Sequence, residues 1–365
     1  MAKHLADLGH EVTWLTLRPF EVNGVNQKIW ISRNLVIISA RYIPGLRTAQ
    51  HISFMLLEMA GMEEKPEVVY ATSDEYWGLS GFVTSKLFDI PLIFDFKDFY
   101  PEAYGGISRS VSLASQNFVL KNSDGVTCVS PCLEAYAKKA GAETTFLLPN
   151  GVDRRIFHPV DSQRARSVLG LPKSRCLIVY AGVLDQRVGV DVLLQALSDL
   201  IAQRKRSDVA LVLVGSGSGA RSIERSIMPR SRDLGIQDFV IMVGEVPFRD
   251  VPLYLNAADV LVIPNSRCTF NEFCFPLKLS EYMACKKPII VSNVGVLPQV
   301  ILNNHRGCVY SWDDHEELAD KIVSVLEDER FASEVAFNAF TYATSNLSWG
   351  KLVGDFSSWV ERLVG

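Results

Sequence analysis

The feature that most constrains this chain is an alternation of short apolar runs with segments of helical spacing, run through once and then started again. In the first half, the stretches 11–17, 35–41 (LVIISAR), 67–73 (EVVYATS), 91–98 (PLIFDFKD), 125–130 (GVTCVS) and 144–153 (TTFLLPNGVD) read as strands. Between them, 48–62, 75–88, 111–123 and 131–141 read as helices, with Pro131 at a first-turn position that tolerates proline. After a link at 154–172 the pattern resumes, with strands at 176–182, 209–217, 239–246, 260–265, 288–295 and 307–311. Helices fall at 190–205, 219–235, 250–257, 277–285, 296–302 and 314–327, and two more, at 329–345 and 350–364, close the chain. Strand and helix alternating at this period give parallel sheets covered on both faces. With 365 residues the chain exceeds what one core usually organises. The pattern therefore predicts two doubly wound α/β domains, at 1–155 and 156–345, and a C-terminal helix in 346–365 that packs back toward the first domain.

The opening is irregular. "MAKHLADLGHEVTWLTL" reads as the end of a helix, a turn at Gly9 and then a strand. A doubly wound domain normally opens with a strand and a tight loop before its first helix. The expectation is a start placed downstream of the true one, or a truncated chain, leaving the first domain without its first strand.

Charge narrows the partners. The net charge is −4 and no long basic run occurs, which argues against nucleic acid. The seven cysteines are scattered without a C-x-x-C pair, so they read as buried free thiols and not as a metal site. No run of about 18 apolar residues is present, and the start lacks the apolar core of a signal peptide. The expected location is the cytoplasm, with peripheral contact at the cytoplasmic membrane face as the variant. Residues 52–62 and 105–120 are the segments that would touch a membrane, with core packing as the competing reading.

In an open α/β sheet, ligands bind beyond the carboxyl ends of the strands. The most informative loop there is 268–295, where Pro276 and Leu277 open a helix with Lys278 and Glu281 in its first turns. A helix N-terminus offers unpaired N–H groups and partial positive charge, which suits a phosphate. Lysine is slightly unfavourable at that end, so Lys278 points to an anion, and Glu281 is a carboxylate suited to a ribose diol. A solvated helix face is the alternative, and spacing alone does not choose between them. A competing motif, Gly215, Gly217 and Ala220, fits the dinucleotide fingerprint G-x-G-x-x-A. It lies on an internal strand of the second domain, and Glu245 is only loosely placed as its acidic partner, so a small-residue turn is the simpler reading.

"PLKLSEYMACKKPIIVSNVG" (276–295) resembles the donor-binding signature of glycosyltransferase family 4, retaining enzymes of the GT-B architecture. The resemblance extends through "GHEVTWLTLRP" (9–19), "PLIFDFKDFYPE" (91–102), "DGVTCVSP" (124–131), "LLPNGVD" (147–153), "YAGVLDQRVGVDVLLQAL" (180–197), "LVLVGSG" (211–217), "VGEVPFRDVPLYLNAADVLVIP" (243–264) and "SWGKLV" (348–353). It implies two Rossmann-like domains facing across a cleft, with the donor nucleotide sugar on the C-terminal one.

It also implies roles. Glu281 matches the second glutamate of the family's pair, which binds the donor ribose; the first falls at Phe273, with Glu272 one position out of register as its substitute. The family's arginine and lysine for the donor diphosphate fall at Val183 and Val188, which leaves Arg187 and Lys278 as replacements. The alternative for Arg187 is a solvated loop cation. Gly244 and Val246 would set main-chain groups near the base. Lys97 and Asp98 match the acceptor-side segment, and with Glu272 they are the catalytic candidates. Tyr76 and Trp77 would stack on the acceptor, with plain packing as the alternative, and Asn150–Gly151 form a tight turn at the domain junction.

The function so implied is retaining transfer of a sugar from a nucleotide-diphosphate sugar to a hydroxyl of a glycan or lipid-linked acceptor. No Asp-x-Asp motif lies in a suitable loop, so no metal and no cofactor are expected. The alternatives are a sugar-nucleotide epimerase of the same fold and a degenerate, non-catalytic nucleotide-sugar-binding protein.

Overall fold

The computed structural model describes residues 1–18, 27–41, 47–72, 74–217, 222–302 and 305–365. They divide into two units, Met1–Pro149 with Trp349–Gly365, and Asn150–Ser348.

The first unit carries two sheets. Strands β1 (Val12–Arg18), β2 (Gln27–Ser32) and β3 (Leu35–Arg41) lie in the order β1-β3-β2, with β1 parallel and β2 antiparallel to β3. Strands β4 (Val69–Thr72), β5 (Leu92–Phe96), β6 (Gly125–Cys128) and β7 (Thr145–Leu147) form a parallel sheet in chain order. β5 has a neighbour on either side and is buried along its whole length. The helix Glu75–Phe88 is started by Asp74, whose carboxylate accepts the N–H groups of Tyr76 and Trp77. Gly78 and Gly81 let that helix lie close on the sheet: a Cβ at Gly78 would stand 2.9 Å from Phe94, and one at Gly81 2.8 Å from Leu92.

The C-terminal helix Trp349–Val364 completes this unit. Its Leu352, Phe356 and Trp359 form one cluster with Ile93 and Leu148, joined by Met1 and by Leu5 of the helix Ala2–Asp7. His10 Nε2 and Ser357 Oγ, 2.7 Å apart, share a hydrogen bond that ties the same helix to the start of β1.

The second unit holds one parallel sheet of six strands. These are β8 (Cys176–Ala181), β9 (Val209–Val214), β10 (Val240–Gly244), β11 (Val260–Ile263), β12 (Ile289–Ser292) and β13 (Cys308–Tyr310), in the order β10-β9-β8-β11-β12-β13. The uninterrupted run VALVLV of β9 is buried at every position, as a strand covered on both faces must be. The order reverses between β8 and β11. Chains leaving these two strands turn to opposite faces of the sheet, which opens a crevice at their carboxyl ends.

Several elements depart from the sequence reading, among them the short helix Thr269–Phe273, in a stretch that reads as loop. β2 was not anticipated, because it is an outer antiparallel strand whose Ile29, Trp30 and Ile31 are all exposed and so carry no alternation. The expected link at 154–172 contains a helix, Ser162–Leu169, capped by Asp161 and ended by Gly170 in the left-handed region. Its inward anchor is a charge: Arg166 is buried, with its guanidinium on Asp259 Oδ2 at 2.6 Å and Ala257 O at 2.8 Å. The helix expected at 111–123 runs Gly106–Asn122, because Ile107 and Val111 point to solvent and leave its first turns without an inward apolar pattern. Ala220 of the G-x-G-x-x-A motif lies outside the described residues. Among those described, no helix is long and apolar enough to cross a membrane.

Trp359 packs against the backbone of Gly125, where an added Cβ would stand 2.6 Å from the indole. Trp359→Ala should therefore open a cavity in the first unit and cost about 3–5 kcal/mol. Urea unfolding followed by circular dichroism checks this; a variant as stable as the parent would show that the helix is not integral to the unit.

Candidate functional site

The crevice of the second unit is built from the loops after β8, β11 and β12. The first two are stitched together. Gly189 N donates to Pro264 O at 2.5 Å and Ser266 N to Arg187 O at 2.9 Å. Asn271 Nδ2 donates to Arg187 O at 2.8 Å and Ser266 O at 2.7 Å. Within the first loop, the buried Asp185 holds Arg187 three times: Oδ1 accepts its backbone N–H at 2.9 Å, and Oδ2 accepts Nε at 2.9 Å and Nη2 at 2.5 Å. The guanidinium lies over the ring of Phe270, 4.4 Å from its centroid. Arg187 is thus a fixed cation and not a mobile loop charge. Of the two valines at the family's cation positions, Val188 is buried at 8% exposure and bridges to Asn265, while Val183 is 54% exposed.

The helix Leu277–Ala284 enters the crevice with Pro276 as its N-cap. Leu279, Tyr282 and Met283 bury its inner face, and Tyr282 Oη both accepts from Ala181 N at 2.7 Å and donates to Ala181 O at 3.1 Å. The turn at Asn150 secures the other side: Asn150 Nδ2 donates to Phe275 O at 2.6 Å, and Asn150 O accepts from Ser280 Oγ at 2.6 Å. Held in this way, the first turn sends Lys278 to the end of β8, where its Nζ donates to Tyr180 Oη at 2.8 Å. Burial pushes the ammonium down to about 8, and Asp185, Glu281 and Arg187 all act on it. Glu281, one turn along, is pushed by burial up to about 7, against the pull of Lys278. Lys278 thus lies within electrostatic reach of both Glu281 and Arg187.

Glu272 sits in the short helix Thr269–Phe273. Its Oε2 accepts from Gly295 N at 3.1 Å, in the loop after β12, and its Oε1 pairs with Arg267 at 3.2 Å. Gly244, at the end of β10, has a φ of +81° and accepts from Gly215 N at 2.7 Å; Val246 follows, half-buried.

The remaining sequence candidates lie in the first unit. Lys97, just past β5, pairs with the buried Asp95 at 3.3 Å, and Asp95 also accepts from Thr127 at 2.7 Å and Thr72 at 3.0 Å. Asp98 accepts from Tyr100 Oη at 3.4 Å. Trp77 packs on Val36, Ile38 and Phe54 and meets His51 edge-on at 4.6 Å; Tyr76 stacks on the same imidazole at 6.1 Å. Both aromatics are engaged in packing.

Sequence reading passed over Tyr180, Asp185, Phe270 and Asn271. Asp185 carried a usable signal, an acid two residues before a loop arginine, which is the spacing of a side-chain-to-backbone turn. Tyr180 carried none, since it sits in an apolar strand.

Gly295 adopts φ +57°, and a Cβ there would stand 2.3 Å from Asn271 O. Gly295→Ala should cost about 1–3 kcal/mol and detach Glu272 from its backbone donor. Unfolding in urea measures the cost, and an unchanged midpoint would refute the tight approach.

Two family models cover most of the chain: "Glycosyltransferase Family 4" matches residues 1–155 and "Glycosyl transferases group 1" matches 161–341. The chain is 30% identical over 200 residues to a D-inositol 3-phosphate glycosyltransferase of Acidothermus cellulolyticus, covering 54% of this chain and 43% of that protein. It is 26% identical over 315 residues to one of Xylanimonas cellulosilytica, covering 81% of this chain and 72% of that protein. The first of these matches thus spans less than half of the relative's length. Among solved structures, sucrose-phosphate synthase from Thermosynechococcus elongatus superposes with a TM-score of 0.83 at 23% identity, over 99% of this chain and 91% of that one. At that identity the likeness speaks for the fold.

Proposed function

The chain belongs to the family 4 and group 1 glycosyltransferases of the GT-B fold, and from that premise we propose that it moves a sugar from a nucleotide-diphosphate sugar to a hydroxyl of a glycan or lipid-linked acceptor, with retention. The observation that carries the reading is the placing of Lys278 on the first turn of the helix Leu277–Ala284, at the reversal of strand order, within electrostatic reach of an Arg187 that Asp185 holds fixed. Two cations and a helix end converge where an α/β sheet receives a pyrophosphate.

In this reading the diphosphate docks at the helix N-terminus, with Lys278 and Arg187 on its oxygens. Glu281 accepts from the ribose diol, main-chain groups at Gly244 and Val246 meet the base, and Glu272 engages the transferred sugar. Lys97 and Asp98 orient the acceptor, and Tyr76 and Trp77 of the same unit stack on it. The bond from the anomeric carbon to the diphosphate oxygen breaks as the acceptor oxygen bonds to the same face. The acceptor's proton passes to an oxygen of the leaving diphosphate. Such a substitution needs no protein nucleophile; it needs positioning and neutralisation of the negative charge that builds on the leaving group.

A thermal-shift screen of UDP-, GDP- and ADP-sugars tests the reading, and failure of all of them to stabilise the protein would sink it. Lys278→Ala and Arg187→Ala should each lower kcat roughly 10²–10³-fold, as loss of transition-state charge stabilisation does. Steady-state assays with the stabilising donor check this, and wild-type rates in both variants would remove the cations from the mechanism.

The two shifted groups set a pH window. Lys278 is protonated below about 8 and loses its charge above it, while Glu281 is ionised above about 7. Affinity for a nucleoside diphosphate should therefore peak between these values, falling on the alkaline side as the ammonium deprotonates and on the acid side as the carboxyl takes up its proton. Calorimetric titration from pH 5.5 to 9.5 measures it, and a flat profile would exclude both groups from the contact.

A further inference from the structure

We propose that Tyr180 is a positioning residue of this site: its hydroxyl fixes where the Lys278 ammonium stands before any ligand arrives. The inference rests on the reading above, in which Lys278 meets the donor diphosphate. Tyr180 is the penultimate residue of β8 and is fully buried, so its hydroxyl must find partners inside the protein. It finds two. It donates its single proton to Val183 O at 2.9 Å and accepts from Lys278 Nζ at 2.8 Å.

That division of labour orients the group. A phenol has one proton to give, and Val183 O takes it, so the oxygen lone pairs are left facing the ammonium. Val183, at a position where the resemblance implies an arginine, thus contributes its carbonyl in place of a charged side chain. Nζ stands 4.5 Å from the ring centroid, at the hydroxyl end of the ring, so the hydroxyl is the contact that holds it. Gly182 closes a second side: a Cβ there would stand 2.9 Å from both Lys278 Nζ and Tyr180 Oη.

The consequence is preorganisation. A lysine side chain has among the largest rotamer freedoms of any residue, and a ligand that orders it bears that cost. Here the ammonium is already confined by a hydroxyl and a glycine backbone. A hydrogen bond to the charged form also favours that form, so Tyr180 helps keep a half-buried ammonium protonated near neutral pH.

Tyr180→Phe removes the hydroxyl and keeps the ring, so the core of the second unit retains its packing. Binding of UDP, GDP and ADP would be measured by calorimetry across pH for the wild-type chain, Tyr180→Phe, Lys278→Met and the double variant. In Tyr180→Phe, Kd for the nucleotide that binds should rise about 10-fold, in line with loss of a charge-assisted hydrogen bond. The alkaline fall in affinity should begin at lower pH than in the wild type. In the Lys278→Met background the same change should have little further effect, because the hydroxyl acts through the ammonium. Wild-type affinity with an unmoved pH profile in Tyr180→Phe would overturn the proposal. So would an equal loss in both backgrounds, which marks a merely structural role. If the wild-type chain binds none of the three nucleotides, the donor-site reading itself falls and the proposal falls with it.

Discussion

The site depends on how the sheet comes apart at its carboxyl edge. β8 pairs with β11 only through Ile178 and Val179, although it pairs with β9 as far as Ala181. On the β11 side, the backbone of Ala181 has run out of strand. Its N–H and C=O both turn to a single side-chain oxygen, that of Tyr282, which accepts from one and donates to the other. Buried backbone groups must be paired, so this contact is a requirement of the open crevice as well as a bond. It also fixes the helix Leu277–Ala284 against β8. The position of every group on its first turn follows from that attachment, with Asn150 bracing the opposite side through Phe275 and Ser280.

With the helix fixed there, electrostatics follow from geometry. Lys278 and Glu281 are brought out of bulk water together, and burial moves each toward its neutral form: the ammonium down to about 8, the carboxyl up to about 7. Their mutual attraction opposes both shifts without cancelling either. Arg187 behaves differently, because Asp185 engages its guanidinium and a guanidinium stays charged throughout the accessible range. Arg187 is therefore a permanent cation, while the charge of Lys278 depends on pH and on what approaches it. An arriving diphosphate would raise the affinity of Lys278 for its proton, so ligand and proton reinforce each other there.

Much of this was legible in the sequence where a physical rule leaves a one-dimensional trace. Strands buried on both faces, such as β9, must be apolar throughout, and they announced themselves. The helix at Pro276–Leu277 announced itself through its proline and the lysine that follows. β2 left no trace because an exposed outer strand has no buried face to alternate with. The helix Ser162–Leu169 left none because its inward anchor is Arg166, whose burial is made possible by Asp259 and the carbonyl of Ala257. Tyr180 was hidden for the opposite reason: its ring belongs to the core, and only its hydroxyl, at the end of the strand, reaches the site. Trp77 shows the same ambiguity, an aromatic at a strand-to-helix turn whose ring serves the packing of Val36, Ile38 and Phe54.

The loop after β8 shows why the cations stand where they do. Val188 lies in the core of the second unit, and a charged residue there would be buried without a partner. Arg187, one position earlier, points away from that core, where Asp185 and the ring of Phe270 receive it. Arg187 stands in the turn that Val188 N closes on Asp185 O at 3.0 Å, and the acid two positions before the arginine supplies its anchor. Val183 gives up a charged side chain altogether, and its carbonyl instead orients Tyr180 toward Lys278. Positive charge is thus retained at the crevice while two of its expected carriers are aliphatic. The loop and the helix divide the task, and each cation depends on a neighbour that bears no formal role in the motif from which it was first read.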